Sequence, residues 1–196
     1  MENFILSVQR FDEFANEFAQ RFMDIGAYSD SIELFCDLIG SENPKILELG
    51  CGPGNVTRLL KRWFPESKIT AIDLAPNMIE IAREQLPNDD FSVMDVRDIS
   101  AIPEKFDAVM CSFCLPFLSK DDAVKLISDC SDRLLNDGIL YISTMEGDEG
   151  KAGFEPTSFT GDSEIYFNYH RQTDLENALN KSGFRIEQLK LQDYHE

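Results

Sequence analysis

Short apolar runs alternate with amphipathic stretches along most of the chain. Seven runs have the composition of β-strands, at residues 46–49, 68–73, 91–94, 106–111, 138–144, 165–170 and 184–191. Apolar residues at helical spacing fill most of the gaps, at residues 55–63, 76–85, 120–135 and 174–181. Strands that alternate with helices form a mostly parallel sheet that helices cover on both faces. The pattern therefore predicts an α/β fold around a seven-stranded sheet.

Two helices are predicted before the first strand. Four phenylalanines recur at helical spacing in the first of them: Phe11, Phe14, Phe18 and Phe22. The second covers residues 29–39, so that residues 1–42 form an N-terminal helical cap on a single domain of residues 1–196. Residues 146–163 are rich in glycine, acidic and hydroxyl residues, and we expect a loop that acts as a lid over a ligand site.

Composition narrows the class of protein. Hydrophobic residues make up 43% of the 196 residues, which suits one globular domain. The net charge of −18 repels phosphate backbones, so we expect no nucleic-acid partner. No apolar run approaches the roughly 20 residues of a membrane span, and the first residues lack the pattern of a signal peptide. Five cysteines within mostly apolar segments favour reduced thiols and a cytoplasmic location.

The most informative motif is a glycine loop. An apolar strand leads into three glycines at alternate positions, Gly50, Gly52 and Gly54, and a helical stretch follows. Such a turn lets the backbone approach a ligand closely because glycine has no Cβ atom. The spacing is G-x-G-x-G, whereas a dinucleotide fingerprint reads G-x-G-x-x-G. An acidic residue, Glu48, precedes the first glycine by two positions.

A second acidic residue ends the next predicted strand. Asp73 lies about 20 residues beyond the glycine loop, where a carboxylate can accept both hydroxyl hydrogens of a ribose. Dinucleotide enzymes use a carboxylate at the same place, so Asp73 alone does not identify the cofactor. A carboxylate in this position can also cap a helix or form a turn.

Together these motifs resemble those of the class I S-adenosylmethionine-dependent methyltransferases, over about residues 43–194. The resemblance implies a Rossmann-like sheet with an antiparallel last strand. It also implies S-adenosylmethionine as cofactor and S-adenosylhomocysteine as product. In that family the loop, here Gly50, Cys51 and Gly52, lines the methionine part of the cofactor, and Glu48 would orient its ammonium group.

The resemblance implies further contacts for the nucleoside. Asp73 would hold the ribose, Leu74 and Met78 would pack near the adenine, and Asp95 and Val96 would hydrogen-bond to its edge. Cys111 would offer its backbone carbonyl to the ammonium group, and Tyr28 would close over the cofactor. Each has an ordinary structural alternative, because Leu74 and Met78 suit a core and Asp95 suits a turn.

Methyl transfer asks for placement of the acceptor more than for a particular catalytic residue. The segment after the fourth strand, residues 111–117, lacks the Asn/Asp-Pro-Pro-aromatic motif of enzymes that methylate amides or nucleobase amines. This points to a small-molecule acceptor. Candidates for the acceptor pocket are the N-terminal aromatics, residues 113–117, residues 146–163 and residues 166–170. His170 is the candidate general base, with a surface or capping histidine as the alternative.

Other readings stay open. Cys111 and Cys114 form a lone C-x-x-C without a second pair or a histidine cluster, so we expect no metal site. A nicotinamide-dependent oxidoreductase fits a similar sheet, although the glycine spacing and the position of Asp95 argue against it. A non-catalytic cofactor-binding partner protein on the same fold is the third possibility. The sequence does not indicate an oligomeric state.

Overall fold

The computed structural model describes residues 2–23 and 29–192. The helices within these ranges are α1 (Glu2–Glu13), α2 (Ala15–Phe22), α3 (Ser29–Leu38), α4 (Asn55–Trp63), α5 (Pro76–Gln85), α6 (Lys120–Arg133) and α7 (Gln172–Lys181). The strands are β1 (Lys45–Leu49), β2 (Lys68–Asp73), β3 (Asp90–Val93), β4 (Phe106–Ser112), β5 (Leu134–Ser143), β6 (Gly153–Pro156) and β7 (Glu164–Phe167). Short 3-10 helices cover residues 96–101, 115–117 and 149–151.

The central sheet is parallel and has five strands, in the order β3-β2-β1-β4-β5. Between β1 and its neighbours the strand order reverses, because β2 lies on one side and β4 on the other. Ligands of open parallel sheets bind at such a point, beyond the carboxyl ends of the strands. The predicted α/β class is therefore confirmed, and β1 occupies the position that the glycine loop requires.

Helices cover both faces of this sheet, as predicted. On one face a buried cluster joins α3, α4 and α5 to the strands and includes Ile46, Leu60 and Ile79. On the other face a second cluster joins α6 to the strands and includes Leu47 and Leu126. Ile46 and Leu47 are adjacent in β1 and point to opposite faces, so β1 is apolar on both sides and central in the sheet.

The prediction of seven strands in one sheet is wrong. Strands β6 and β7 form a separate antiparallel pair, and residues 184–192 have no regular secondary structure. Ile186 and Leu189 are three residues apart, so the strict alternation of a half-buried strand fails there. After β7 the chain no longer pairs with β6. Instead, Asn168 N donates to Pro116 O over 2.6 Å, and His170 N donates to Met145 O over 3.0 Å.

Two further segments differ from their predicted form. The N-terminal part contains three helices, since the phenylalanine stripe is broken at Phe14 between α1 and α2. Residues 146–163, predicted to be a loop, contain a 3-10 turn and β6. Lys120 of α6 forms ion pairs with Glu149 (3.1 Å) and with Asp174 (2.8 Å), which connect the 3-10 turn to α6 and α7.

Within residues 2–23 and 29–192, we find no helix with the length and apolar character needed to cross a membrane.

Candidate functional site

The glycine loop follows β1 directly and forms the floor of a cleft at the carboxyl ends of the strands. Gly50, Gly52 and Gly54 all have positive φ angles, of +66°, +53° and +84°, which L side chains rarely adopt. A Cβ atom on Gly50 would stand 3.3 Å from Cys114 Cβ, so the space above the loop is also tight there. The predicted need for glycine at Gly50 thus has two causes, backbone conformation and close approach.

Asp73 ties the glycine loop to the end of β2. Its Oδ2 accepts a 2.8 Å hydrogen bond from Gly52 N, and its Oδ1 accepts a 2.9 Å bond from Ala75 N. Burial raises the pKa of Asp73, and the hydrogen bonds from Ala75, Gly52 and Leu74 lower it by less. Two ionised oxygens offer about four acceptor positions, so the carboxylate retains capacity for a ligand hydroxyl. Asp73 also lines the cleft.

Glu48 points away from the cleft and into the interior. The residue is 2% exposed, and its Oε2 accepts a 2.6 Å hydrogen bond from Thr57 Oγ1 of α4. Burial raises the pKa of Glu48 to about 8, despite the hydrogen bond from Thr57. The structure thus places Glu48 where it fixes α4 beneath the loop. Any effect of Glu48 on an ammonium group in the cleft would therefore be indirect.

The other predicted cofactor residues separate into two groups. Leu74, Met78 and Val96 line the cleft, and Met78 also packs with Ala15 in a small buried cluster. The side chains of Cys51 and Cys111 are buried on opposite faces of the sheet, so a contact with a ligand would have to come from their backbone groups.

Asp95 has a strong partner of its own. Its carboxylate pairs with Arg97 at 2.6 Å and also accepts a 2.9 Å hydrogen bond from Arg97 N. Burial raises the pKa of Asp95, but the bonds from Arg97 outweigh it and the pKa lies below its ordinary value. Asp95 therefore caps the 3-10 helix that follows it, which was the structural alternative. The contact to adenine stays a prediction.

Six phenylalanine rings cover the cleft beside the glycine loop. This phenylalanine cluster consists of Phe11, Phe18, Phe22, Phe117, Phe159 and Phe167. Phe159 contacts Phe11, Phe18 and Phe22 at centroid distances of 5.4, 5.0 and 5.9 Å. The cluster thereby brings together residues from all four segments predicted to form the acceptor pocket: the N-terminal helices, residues 113–117, residues 146–163 and residues 166–170.

His170 lies at this end of the sheet but is buried, with 4% of its surface exposed. Its Nε2 is 2.8 Å from Leu115 O, and because a carbonyl only accepts, Nε2 carries the hydrogen. Burial lowers the pKa of His170, although the bond to Leu115 opposes this. These contacts favour a structural role for His170, and its role as a general base stays a prediction. Tyr28 lies outside the described residues.

Three hydroxyl groups at the carboxyl ends of β4 and β5 were not predicted as site residues. Ser112 Oγ and Ser143 Oγ are 3.4 Å apart, and both residues line the cleft with Thr144. Within the part of the chain that the structure describes, Thr144 Oγ1 is buried and has no hydrogen-bond partner. Their position at the carboxyl ends of predicted strands is the sequence feature that could have indicated them. No group of three or more potential metal ligands occurs in that part of the chain either.

Comparison with known proteins identifies the family. Residues 46–138, which hold the glycine loop, Asp73 and Asp95, match the family described as a methyltransferase domain. The chain carries a class I methyltransferase domain. The matched region of this methyltransferase domain runs from β1 to the irregular start of β5 and so includes the core of the parallel sheet.

Two curated methyltransferases and one solved structure illustrate the similarity. The chain is 32% identical over 135 residues to the malonyl-acyl-carrier-protein O-methyltransferase of Acetivibrio thermocellus, covering 68% of this chain and 42% of that protein. It is 31% identical over 139 residues to the demethylmenaquinone methyltransferase of Thermotoga maritima, covering 69% and 60%. Magnesium protoporphyrin IX methyltransferase (ChlM) from Synechocystis PCC 6803, solved with bound SAM, superposes with a TM-score of 0.71 at 14% identity. That superposition covers 100% of this chain and 92% of ChlM.

The chain thus spans about half the length of these curated relatives, 42% and 60%. The substrates in their names differ, malonyl-acyl-carrier protein for one relative and demethylmenaquinone for the other.

Proposed function

We propose that this chain transfers a methyl group from S-adenosylmethionine to a small-molecule acceptor. The observation that carries the proposal is the joined pair of the glycine loop and Asp73, which lie at the switch point of the sheet and face one cleft. The family match of residues 46–138 supports the same reading.

The residues present fit this cofactor. The positive φ angles of Gly50 and Gly52 leave a cradle without Cβ atoms, in which the methionine part would lie against the backbone. Asp73 would hold the ribose with the acceptor positions that Gly52 and Ala75 leave free. Leu74 and Met78 supply apolar surface for the adenine.

The bound cofactor supplies a methyl group on a sulfonium, which is already activated for transfer. The task of the protein is then to bind the acceptor, orient its nucleophilic atom and exclude water. The phenylalanine cluster offers the apolar cover for this task, since Phe18 Cε1 lies 3.8 Å from the point where a Gly52 Cβ would stand. Residues 146–163 would act as a lid, because Phe159 belongs to the cluster and exposed ion pairs join the 3-10 turn to Lys120 and Arg171.

Calorimetry tests the cofactor directly. S-adenosylhomocysteine should bind the purified protein and NAD should not, because the loop lacks the third glycine of the dinucleotide spacing. Radiolabelled S-adenosylmethionine, offered with a panel of small acceptors, should then yield a labelled product. Tight binding of NAD would contradict the proposal, whereas cofactor binding with no product from any acceptor would favour a non-catalytic binding protein.

A further inference from the structure

The phenylalanine cluster leaves part of its apolar surface exposed within the cleft. Five of its six rings are only half-buried, although each ring contacts at least one other. Phe159 alone is buried, at 9% exposure. All six side chains line the cleft. Contiguous aromatic surface that stays open within a cleft marks a place where an apolar ligand binds.

The cluster extends from the cofactor loop to the end of β4. Phe18 Cε1 is 3.8 Å from the point where a Gly52 Cβ would stand. Phe11 and Phe117 have centroids 5.0 Å apart, and Phe117 contacts Phe167 at 5.6 Å. The rings therefore line the cleft from the glycine loop to the segment that follows β4.

Charged groups near the cluster are hydrogen-bonded to neutral side chains or are exposed at its rim. Arg21 donates to Ser158 Oγ over 2.7 Å at an exposed position. One oxygen of Glu155 accepts from Tyr169 Oη over 2.6 Å, and Glu146 is exposed at the mouth. A charged acceptor would lose its hydration among the rings, which is costly, whereas Arg21 and Glu146 are exposed at the rim. The arrangement selects a neutral molecule.

The cleft also provides hydroxyl groups for an acceptor oxygen. Thr144 Oγ1 has no partner in the described part of the chain, and a buried hydroxyl without one is costly. Ser112 and Ser143 line the cleft beside it.

We infer that the methyl acceptor is a neutral aromatic molecule with a hydroxyl group, an inference that rests on the proposed function. Its ring would pack against the phenylalanine cluster, and its hydroxyl would hydrogen-bond to Thr144 Oγ1, which would turn from its buried position towards the cleft. The hydroxyl oxygen forms a bond to the methyl carbon as the carbon–sulfur bond breaks. The bonding electrons stay on sulfur, which becomes a neutral thioether, and the hydroxyl proton leaves to water.

A charge series of one ring system tests the ligand class. Naphthol, naphthoic acid and aminomethylnaphthalene are titrated into the protein at neutral pH, with and without saturating S-adenosylhomocysteine. Naphthol should bind at least ten-fold more tightly than either charged analogue. Tighter binding of the amine or of the carboxylate overturns the inference. If S-adenosylhomocysteine does not bind while naphthol keeps its preference, the proposed function fails and the apolar site stands.

Variants locate the site. Phe117→Ser should weaken naphthol binding at least ten-fold and leave S-adenosylhomocysteine binding within two-fold. Phe154→Ser is the matched control, because Phe154 is 43% exposed on β6 and does not line the cleft. Phe167→Ser replaces the first variant if that one fails to fold. Equal naphthol affinity in the cluster variant and the control overturns the inference.

A third variant tests the hydroxyl contact. Thr144→Val keeps the shape of the side chain and removes its oxygen, so it should weaken naphthol binding about five-fold and leave naphthalene binding unchanged. An equal loss for both probes would remove Thr144 from the proposed contact.

Discussion

The amide N–H of Gly52 donates a 2.8 Å hydrogen bond to Asp73 Oδ2 and so joins the glycine loop to the end of the neighbouring strand. The second oxygen of Asp73 accepts from Ala75 N, at the start of α5. One carboxylate thus sets the position of both backbone segments that would surround a cofactor. Its substitution should therefore affect ligand binding and local structure together.

Asp73→Ala should weaken S-adenosylhomocysteine binding by roughly 1–3 kcal/mol, because it removes the ribose contact and leaves polar groups unpaired. Calorimetry measures the affinity, and thermal unfolding reports the accompanying loss of stability. Asp90→Ala is the control, since Asp90 is an exposed aspartate at the start of β3, whereas the cleft lies at the carboxyl ends of the strands. Normal affinity in a folded Asp73→Ala protein would show that Asp73 only organises the loop.

Two glycines with nearly equal φ angles separate backbone strain from steric contact. Gly50 (φ +66°) has Cys114 Cβ at 3.3 Å from its Cβ position, whereas Gly161 (φ +61°) has nothing within 4 Å. Both Ala variants should lose about 1–2 kcal/mol through the left-handed conformation. Gly50→Ala should lose more than Gly161→Ala, and only Gly50→Ala should also weaken S-adenosylhomocysteine binding. Chemical denaturation gives the free energies of unfolding, and equal losses would mean that Cys114 moves aside at little cost.

Local signals predicted three elements in the first half of the fold to the residue. Helices α4 and α5 and strand β2 have their predicted bounds, since Gly54, Pro65 and Pro76 limit these elements within a few positions. The end of the chain was less predictable because strand pairing depends on distant partners. Strand β7 pairs with β6 instead of extending the sheet.

The same distinction applies to the site. The glycine loop and Asp73 are local in sequence and were predicted in position. The contact between Phe11 and Phe159 joins residues that are far apart in the sequence, so no local pattern indicates it. The pairing of Asp95 with Arg97 is local but depends on a side-chain conformation that composition does not specify.

Asp95→Asn should weaken S-adenosylhomocysteine binding modestly, by less than Asp73→Ala, if Asp95 contacts the adenine as the family resemblance implies. Arg97→Met is the matched comparison, because it breaks the same 2.6 Å ion pair and leaves the carboxylate in place. Calorimetry on both variants should then show a loss of affinity for Asp95→Asn alone. If both variants lose stability but keep their affinity for S-adenosylhomocysteine, the role of Asp95 is to cap the 3-10 helix.

Glu48 should make stability fall as the pH rises. Burial raises its pKa from an ordinary 4.5 to about 8, so the folded protein holds a proton that the unfolded chain releases above pH 4.5. Because the folded state binds more protons in this range, the contribution of Glu48 is fully present below pH 4.5 and is lost towards pH 8. Glu48→Gln should flatten this part of the profile. Denaturation of both proteins between pH 4.5 and 8 measures the difference, and parallel profiles would show that Glu48 is ionised throughout.

His170→Gln distinguishes a structural histidine from a general base. A glutamine amide can still donate a hydrogen bond to Leu115 O, but it cannot accept a proton near neutral pH. Burial lowers the pKa of His170, so the unfolded chain binds more protons and wild-type stability falls as the pH drops below about 6.5. The variant should lack this loss. Once an acceptor is known, turnover near the wild-type rate would show that His170 has a structural role, through its hydrogen bond to Leu115 O. A drop of about 10²-fold with intact cofactor binding would instead make His170 the base.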